Sequence, residues 1–100
     1  MTLVYRKRVG HEVRDTYEWY ESQRQGLGEE FIEDFGSVIA SIVEFPQSFV
    51  RINDKIRRAN LVRFPYLVFY QVESKRIVVH AVIHQSRDPH RWPLPRKRSR

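Results

Sequence analysis

The sequence predicts an α+β fold of β-α-α-β-β-β order, with an antiparallel αα-hairpin packed on one face of a small, mainly antiparallel sheet. Three observations carry that expectation. Apolar residues recur every three or four positions through residues 9–45, the period of a helix face. β-branched and aromatic side chains then dominate two runs after residue 65, as strands require. Glycine between the two helical stretches and proline after the second mark where the period changes.

The elements follow in order. Leu3, Val4 and Tyr5 form a short β-prone run before the basic cluster Arg6, Lys7 and Arg8, which predicts a strand of about five residues. Val9, Val13, Tyr17 and Tyr20 share one face of a helix ending near Arg24, with Glu12, Glu18 and Glu21 pointing elsewhere. Gly26-Leu27-Gly28 supplies a flexible break. Phe31, Phe35, Val38, Ile42 and Phe45 then line a second helix that Pro46 ends. A Gly-bearing turn this short makes the two helices an antiparallel pair. Lys55 to Arg63 is β-compatible, although three arginines blur its alternation. Tyr66 to Val72 is the clearest strand. Glu73-Ser74-Lys75-Arg76 links it to Ile77–His84, so these two read as a hairpin. From Gln85 the chain turns polar, basic and proline-rich; Pro89, Pro93 and Pro95 block regular structure. The expected organisation is one domain over residues 1–92 and a flexible basic tail over 93–100.

Both faces of the predicted sheet are apolar. Ile77, Val79, Ala81 and Ile83 alternate with Val78, His80, Val82 and His84, and Val68, Tyr70 and Val72 with Leu67, Phe69 and Gln71. Two helices cover only one face, so the other is expected to expose an apolar patch unless something lies on it: the chain's own tail around Trp92, a second copy, or another protein.

Composition narrows the function. One hundred residues, 41% hydrophobic and 30% charged, suit one domain that buries roughly 60–70% of its unfolded surface. No cysteine is present, which excludes a disulfide framework, a thiol nucleophile and a cysteine zinc site. No apolar run of about 18 residues and no charged-then-apolar leader occur, so neither a membrane span nor a secretory signal is expected, and the expected address is the cytosol. Residues 1–50 carry five basic side chains against nine acidic ones, residues 51–100 thirteen against three, so the halves carry −4 and +10 and the chain +6. A charge so lopsided suggests an anionic partner.

Most catalytic constellations are missing. His80 and His84 on one strand face would stand roughly 13 Å apart, too far to share a metal ion, and no metal or cofactor is expected. Ser86 lacks the turn and oxyanion loop of a serine hydrolase, and Gly26 with Gly28 lacks the third glycine of a dinucleotide site. Glu29, Glu30, Glu33 and Asp34 read as a solvated helix face. Arginine remains. Arg57, Arg58 and Arg63 flank one strand, Arg87 and Arg91 follow the last, and such forks can grip phosphate or stabilise charge on a phosphoryl group. RNA cleavage would add a proton acceptor and donor, for which His84, His80 and Tyr70 are the nearest candidates.

The order and spacing of several motifs resemble a known family. Gly26-Leu27-Gly28-x-x-Phe31, Pro46, Arg57-Arg58, Arg63-Phe64-Pro65-Tyr66, Tyr70 and the closing His84-x-x-Arg87-Asp88-Pro89-x-x-Trp92 together resemble the RelE/ParE superfamily of toxins from type II toxin–antitoxin systems, and the family's β-α-α-β-β-β order agrees with the reading above. The resemblance implies a toxin that arrests bacterial growth and is held inactive by a cognate antitoxin in a hetero-oligomer. The antitoxin would lay a helix and an extended segment across the toxin, with Leu67, Phe69, Val78 and Val82 as candidate contacts. ParE-like members act on DNA gyrase, RelE-like members cleave messenger RNA in the ribosome. No tyrosine follows Tyr70, a departure from the usual ribonuclease pattern, so a gyrase target is favoured. A ribonuclease would use His84, Arg87 and Arg58; a third alternative is a non-toxic partner in an antitoxin–repressor complex. Arg58, Arg63, Arg87 and Arg91 are the candidates for target or nucleic-acid binding, and Trp92 is expected to anchor the tail, because a buried indole supplies large apolar area.

Overall fold

The computed structural model describes residues 1–86. The elements are β1 (Thr2–Tyr5), α1 (Lys7–Gln23), α2 (Leu27–Glu44), β2 (Val50–Arg51), β3 (Ile56–Asn60), β4 (Tyr66–Val72) and β5 (Arg76–His84). They form one mixed sheet of order β1-β5-β4-β3-β2, parallel only between β1 and β5. The expected architecture is present, with β2 added: two residues give no alternation for a sequence to display. β3 is shorter than its sequence run, because beyond Asn60 the backbone turns toward α2, as described below.

The helical hairpin is drawn tight at its turn. Gly26 has φ of 90°, a left-handed conformation that glycine adopts without steric cost. At Gly28 a Cβ would lie 2.7 Å from the Tyr17 carbonyl oxygen and 2.8 Å from Glu21 Oε1, so only glycine permits this approach. Gly26 caps α2 without a side chain of its own. The Glu21 carboxylate takes that role, accepting bonds from Gly26 N and Gly28 N at 2.9 Å each, where an anion also complements the helix dipole. Glu21, expected to point away from the packing, therefore ties the two helices together.

The main core lies between the hairpin and the sheet: Val9, Phe31, Val38, Ile39 and Ile42 pack on Ala59, Val68, Tyr70, Ile77 and Val79. Phe45, placed on this face by its spacing, is instead 57% exposed, because α2 ends at Glu44.

One irregularity decides which way the last strand faces. Phe69 pairs with Ala81 but Tyr70 pairs with Val79, so His80 is an extra residue in β5. Such a bulge inverts the alternation beyond it. Val82 accordingly joins the helix-side core with Ile77 and Val79, while Ala81 and Ile83 join Leu67, Phe69 and Ile56 on the other face. This corrects the expected placement of Val82 on the second face. It also separates the histidines: His80 bonds Gln71 on the second face, and His84 stands opposite Tyr66 on the helix side.

The open apolar patch expected on the second face is not there. Leu67, Phe69, Val78, Ala81 and Ile83 are 0–4% exposed, and Ile52 packs against this second cluster. Leu67, Phe69, Val78 and Val82, the expected antitoxin contacts, are each 4% exposed or less in this structure.

Candidate interaction surfaces

The arginines singled out by sequence separate into different settings. Arg57 donates from Nη1 to the carbonyls of Gln47 (3.1 Å) and Phe49 (2.7 Å) and from Nη2 to Gln47 Oε1 (2.8 Å), pinning the α2–β2 connection to β3. Arg63 pairs with Glu30 at 2.6 Å, and Arg24 meets the same carboxylate at 3.2 Å. Bonded first to Arg24 and then to Arg63, the Glu30 carboxyl is held below its ordinary range. Arg58 lies opposite Phe69 and Val50, with its Nε shielded from solvent and without a hydrogen bond. Arg87, Arg91, Trp92 and the 93–100 tail lie outside the described residues.

The proton-transfer candidates are committed elsewhere. Tyr70 is fully buried, its hydroxyl donates to the Pro46 carbonyl at 2.7 Å, and burial pushes its pKa to about 12. It is a core strut, not an acid in a site. Burial, reinforced by the nearby charge of Arg6, lowers the pKa of His80. His84 Nδ1 accepts from Ser86 N at 3.2 Å, which places the proton of the neutral ring on Nε2, and its ring meets Tyr66 edge-on at 5.1 Å.

His84 lines a cleft of about 420 Å³ with Arg8, His11, Glu12, Asp15, Thr16 and Tyr66. Arg57, Arg58 and Arg63 are not among its lining residues, so the structure does not bring His84 and Arg58 together. Glu12 organises this cleft. One carboxylate oxygen accepts Val82 N at 2.8 Å; the other accepts Arg8 Nε at 2.8 Å. The reason is local: β1 pairs with β5 only through Val79, leaving the strand edge beyond it for a helix side chain to satisfy.

A second depression, of about 480 Å³, runs along the helical hairpin and is walled by Tyr5, Val9, Val13, Tyr17, Ile32 and Phe35, with Arg14 at its rim. Tyr5 is 45% and Ile32 37% exposed. Val13 and Tyr17, on the apolar face that the sequence predicts for the first helix, pack against the core. They also face this groove, and Ile32, one position off the core stripe, was the available signal that the apolar face is wider than the sheet needs.

A two-helix hairpin on a mixed five-stranded sheet, in a chain whose second half is strongly basic, defines a small α+β protein; among the described residues no cluster of metal-ligating side chains occurs. The family model for the ParE toxin of type II toxin–antitoxin systems, parDE, matches residues 3–89, and the chain belongs to this family. No curated protein matches it in sequence. Among solved structures it is similar to a chain described as "Chromosomal ParDE TA system from P. aeruginosa", with 14% identity, a TM-score of 0.67, and coverage of 84% of this chain and 95% of that one; at this identity the likeness concerns the fold. No helix among the described residues is long and apolar enough to cross a membrane.

Proposed function

We propose that this chain is a growth-arresting toxin that acts on DNA gyrase, and that its antitoxin neutralises it by seating an apolar segment in the groove between α1 and α2. The family match over residues 3–89 carries the toxin reading. The commitment of Tyr70 to Pro46 and of His80 to Gln71 weighs against the ribonuclease alternative, since it withdraws two of its three proton-transfer candidates. The groove replaces the sheet face as the antitoxin surface because its walls are apolar and accessible where Leu67, Phe69 and Val78 are not.

Induction of the protein in a bacterial host, with DNA and protein synthesis pulse-labelled separately, tests the target. DNA synthesis is expected to fall first, with a DNA-damage response. An early fall in protein synthesis with cleaved messages overturns the gyrase reading in favour of His84 and Arg87 as catalytic residues. For the groove, Ile32→Asp is expected to weaken antitoxin binding about tenfold or more while leaving the thermal melt unchanged. Unaltered affinity in a titration would remove the groove from the interface.

A further inference from the structure

We propose that the cleft beside the β2–β3 hairpin binds phosphodiester groups of a nucleic-acid backbone, with Arg51 and Lys55 as the gripping residues and Arg57 as a fixed positive wall. The cleft has a volume of about 270 Å³ and is lined by Gln47, Arg51, Asp54, Lys55, Arg57 and Gln71, with Val72 at its edge. Its lining is polar, and Asp54 is its one carboxylate against three cations.

The arrangement opposes like charges, with Asp54 as the one counter-charge in the lining. Arg51 and Arg57 are direct cross-strand partners, so both side chains leave the same face of the ribbon, a placement that destabilises a strand pair unless an anion lies between. Elsewhere Arg8, Arg24, Arg63 and Arg76 each meet a carboxylate, whereas Arg51, Lys55 and Arg57 form no ion pair among the described residues. Two of the three are held in place from below. Arg57 is pinned by Gln47 and Phe49, which uses three of its five donors and leaves two. Lys55 rides on a turn fixed by Asn53 Oδ1, which accepts from Lys55 N and Ile56 N at 2.8 Å each. A planar arginine fork beside a lysine point charge is the donor set that phosphate oxygens favour. The +10 charge of the second half of the chain favours a polyanion over a single small anion.

The site stands apart from the gyrase reading, because it is tested on nucleic acid alone. Fluorescence anisotropy of a short fluorescein-labelled duplex DNA with the full chain is measured between about 50 and 200 mM salt. The wild type is expected to bind with a steep salt dependence. Arg51→Ala/Lys55→Ala is expected to bind roughly tenfold to a hundredfold more weakly at the low-salt end, with a log–log salt slope shallower by about two. Both replaced residues are exposed, so circular dichroism should show an unchanged fold. Lys7→Ala/Lys75→Ala removes the same charge elsewhere and is expected to retain most of the affinity. Absence of wild-type binding, or an equal loss in both double variants, overturns the proposal.

Discussion

Asp34→Ala is expected to lower the melting temperature by roughly 15–25 °C, from a loss of about 3–5 kcal/mol. Asp34 is 6% exposed on α2, and its two carboxylate oxygens accept three backbone bonds from the β3–β4 connection: Val62 N at 3.0 Å, Arg63 N at 2.7 Å and Phe64 N at 3.0 Å. No other element could replace them, because the connection has left the sheet at this point and its amides face the helix. Removal of the carboxylate strands the buried Phe64 amide and leaves the other two to seek water. Against a total stability of about 5–15 kcal/mol, such a loss is large. Asp34→Asn, with one acceptor oxygen and an amide facing amides, should lose about half as much. A thermal melt within about 3 °C of wild type for Asp34→Ala would show that the loop holds without its clasp. This residue corrects the reading of Glu29, Glu30, Glu33 and Asp34 as one solvated face: Asp34 is inside, and Glu30 is engaged by Arg24 and Arg63.

Phe31→Ala is the second large effect, with an expected cost of about 3–5 kcal/mol. Phe31 is fully buried and joins three elements at once: its ring centroid lies 5.9 Å from Tyr20 of α1, 5.7 Å from Phe64 of the clasped loop and 5.5 Å from Tyr66 of β4. Truncation opens a cavity that rigid aromatic neighbours fill poorly. In urea denaturation the midpoint should fall with an unchanged slope, and Phe31→Leu should recover most of the difference. A loss for Phe31→Ala below about 1 kcal/mol would mean that the aromatic cluster collapses onto the gap. Phe64 is shared with the Asp34 clasp, so the two substitutions should couple. Their combined cost is expected to fall short of the sum.

Much of the interaction surface was illegible in sequence, for identifiable reasons. The basic residues of the second half stood out by number, yet number does not say which are neutralised. Arg63 and Arg57 are occupied by groups 33 and 10 residues away in the chain; Arg51 and Lys55, which belong to none of the arginine groups that sequence singles out, line a cleft with Arg57. The hairpin groove was hidden for a different reason. Periodicity reports that a face is apolar, not how much of it the sheet covers.

Local geometry settled the elements that sequence read well. A helix repeats every 3.6 residues and a strand every two, so Val9-Val13-Tyr17-Tyr20, Phe31-Phe35-Val38-Ile42 and Tyr66–Val72 declared themselves, and Gly26 and Gly28 marked a turn that demands a left-handed residue and a close helix approach. The tertiary structure alone decided the rest. The extra residue at His80 exists only relative to β4, and it sends Val82 inward and Ala81 and Ile83 to the opposite face. Glu12, Glu21 and Asp34 look alike as charges on helices. Each became a specific acceptor because folding brought backbone amides to it that lacked partners of their own, and an unpaired buried amide is costly enough to recruit whatever carboxylate lies within reach.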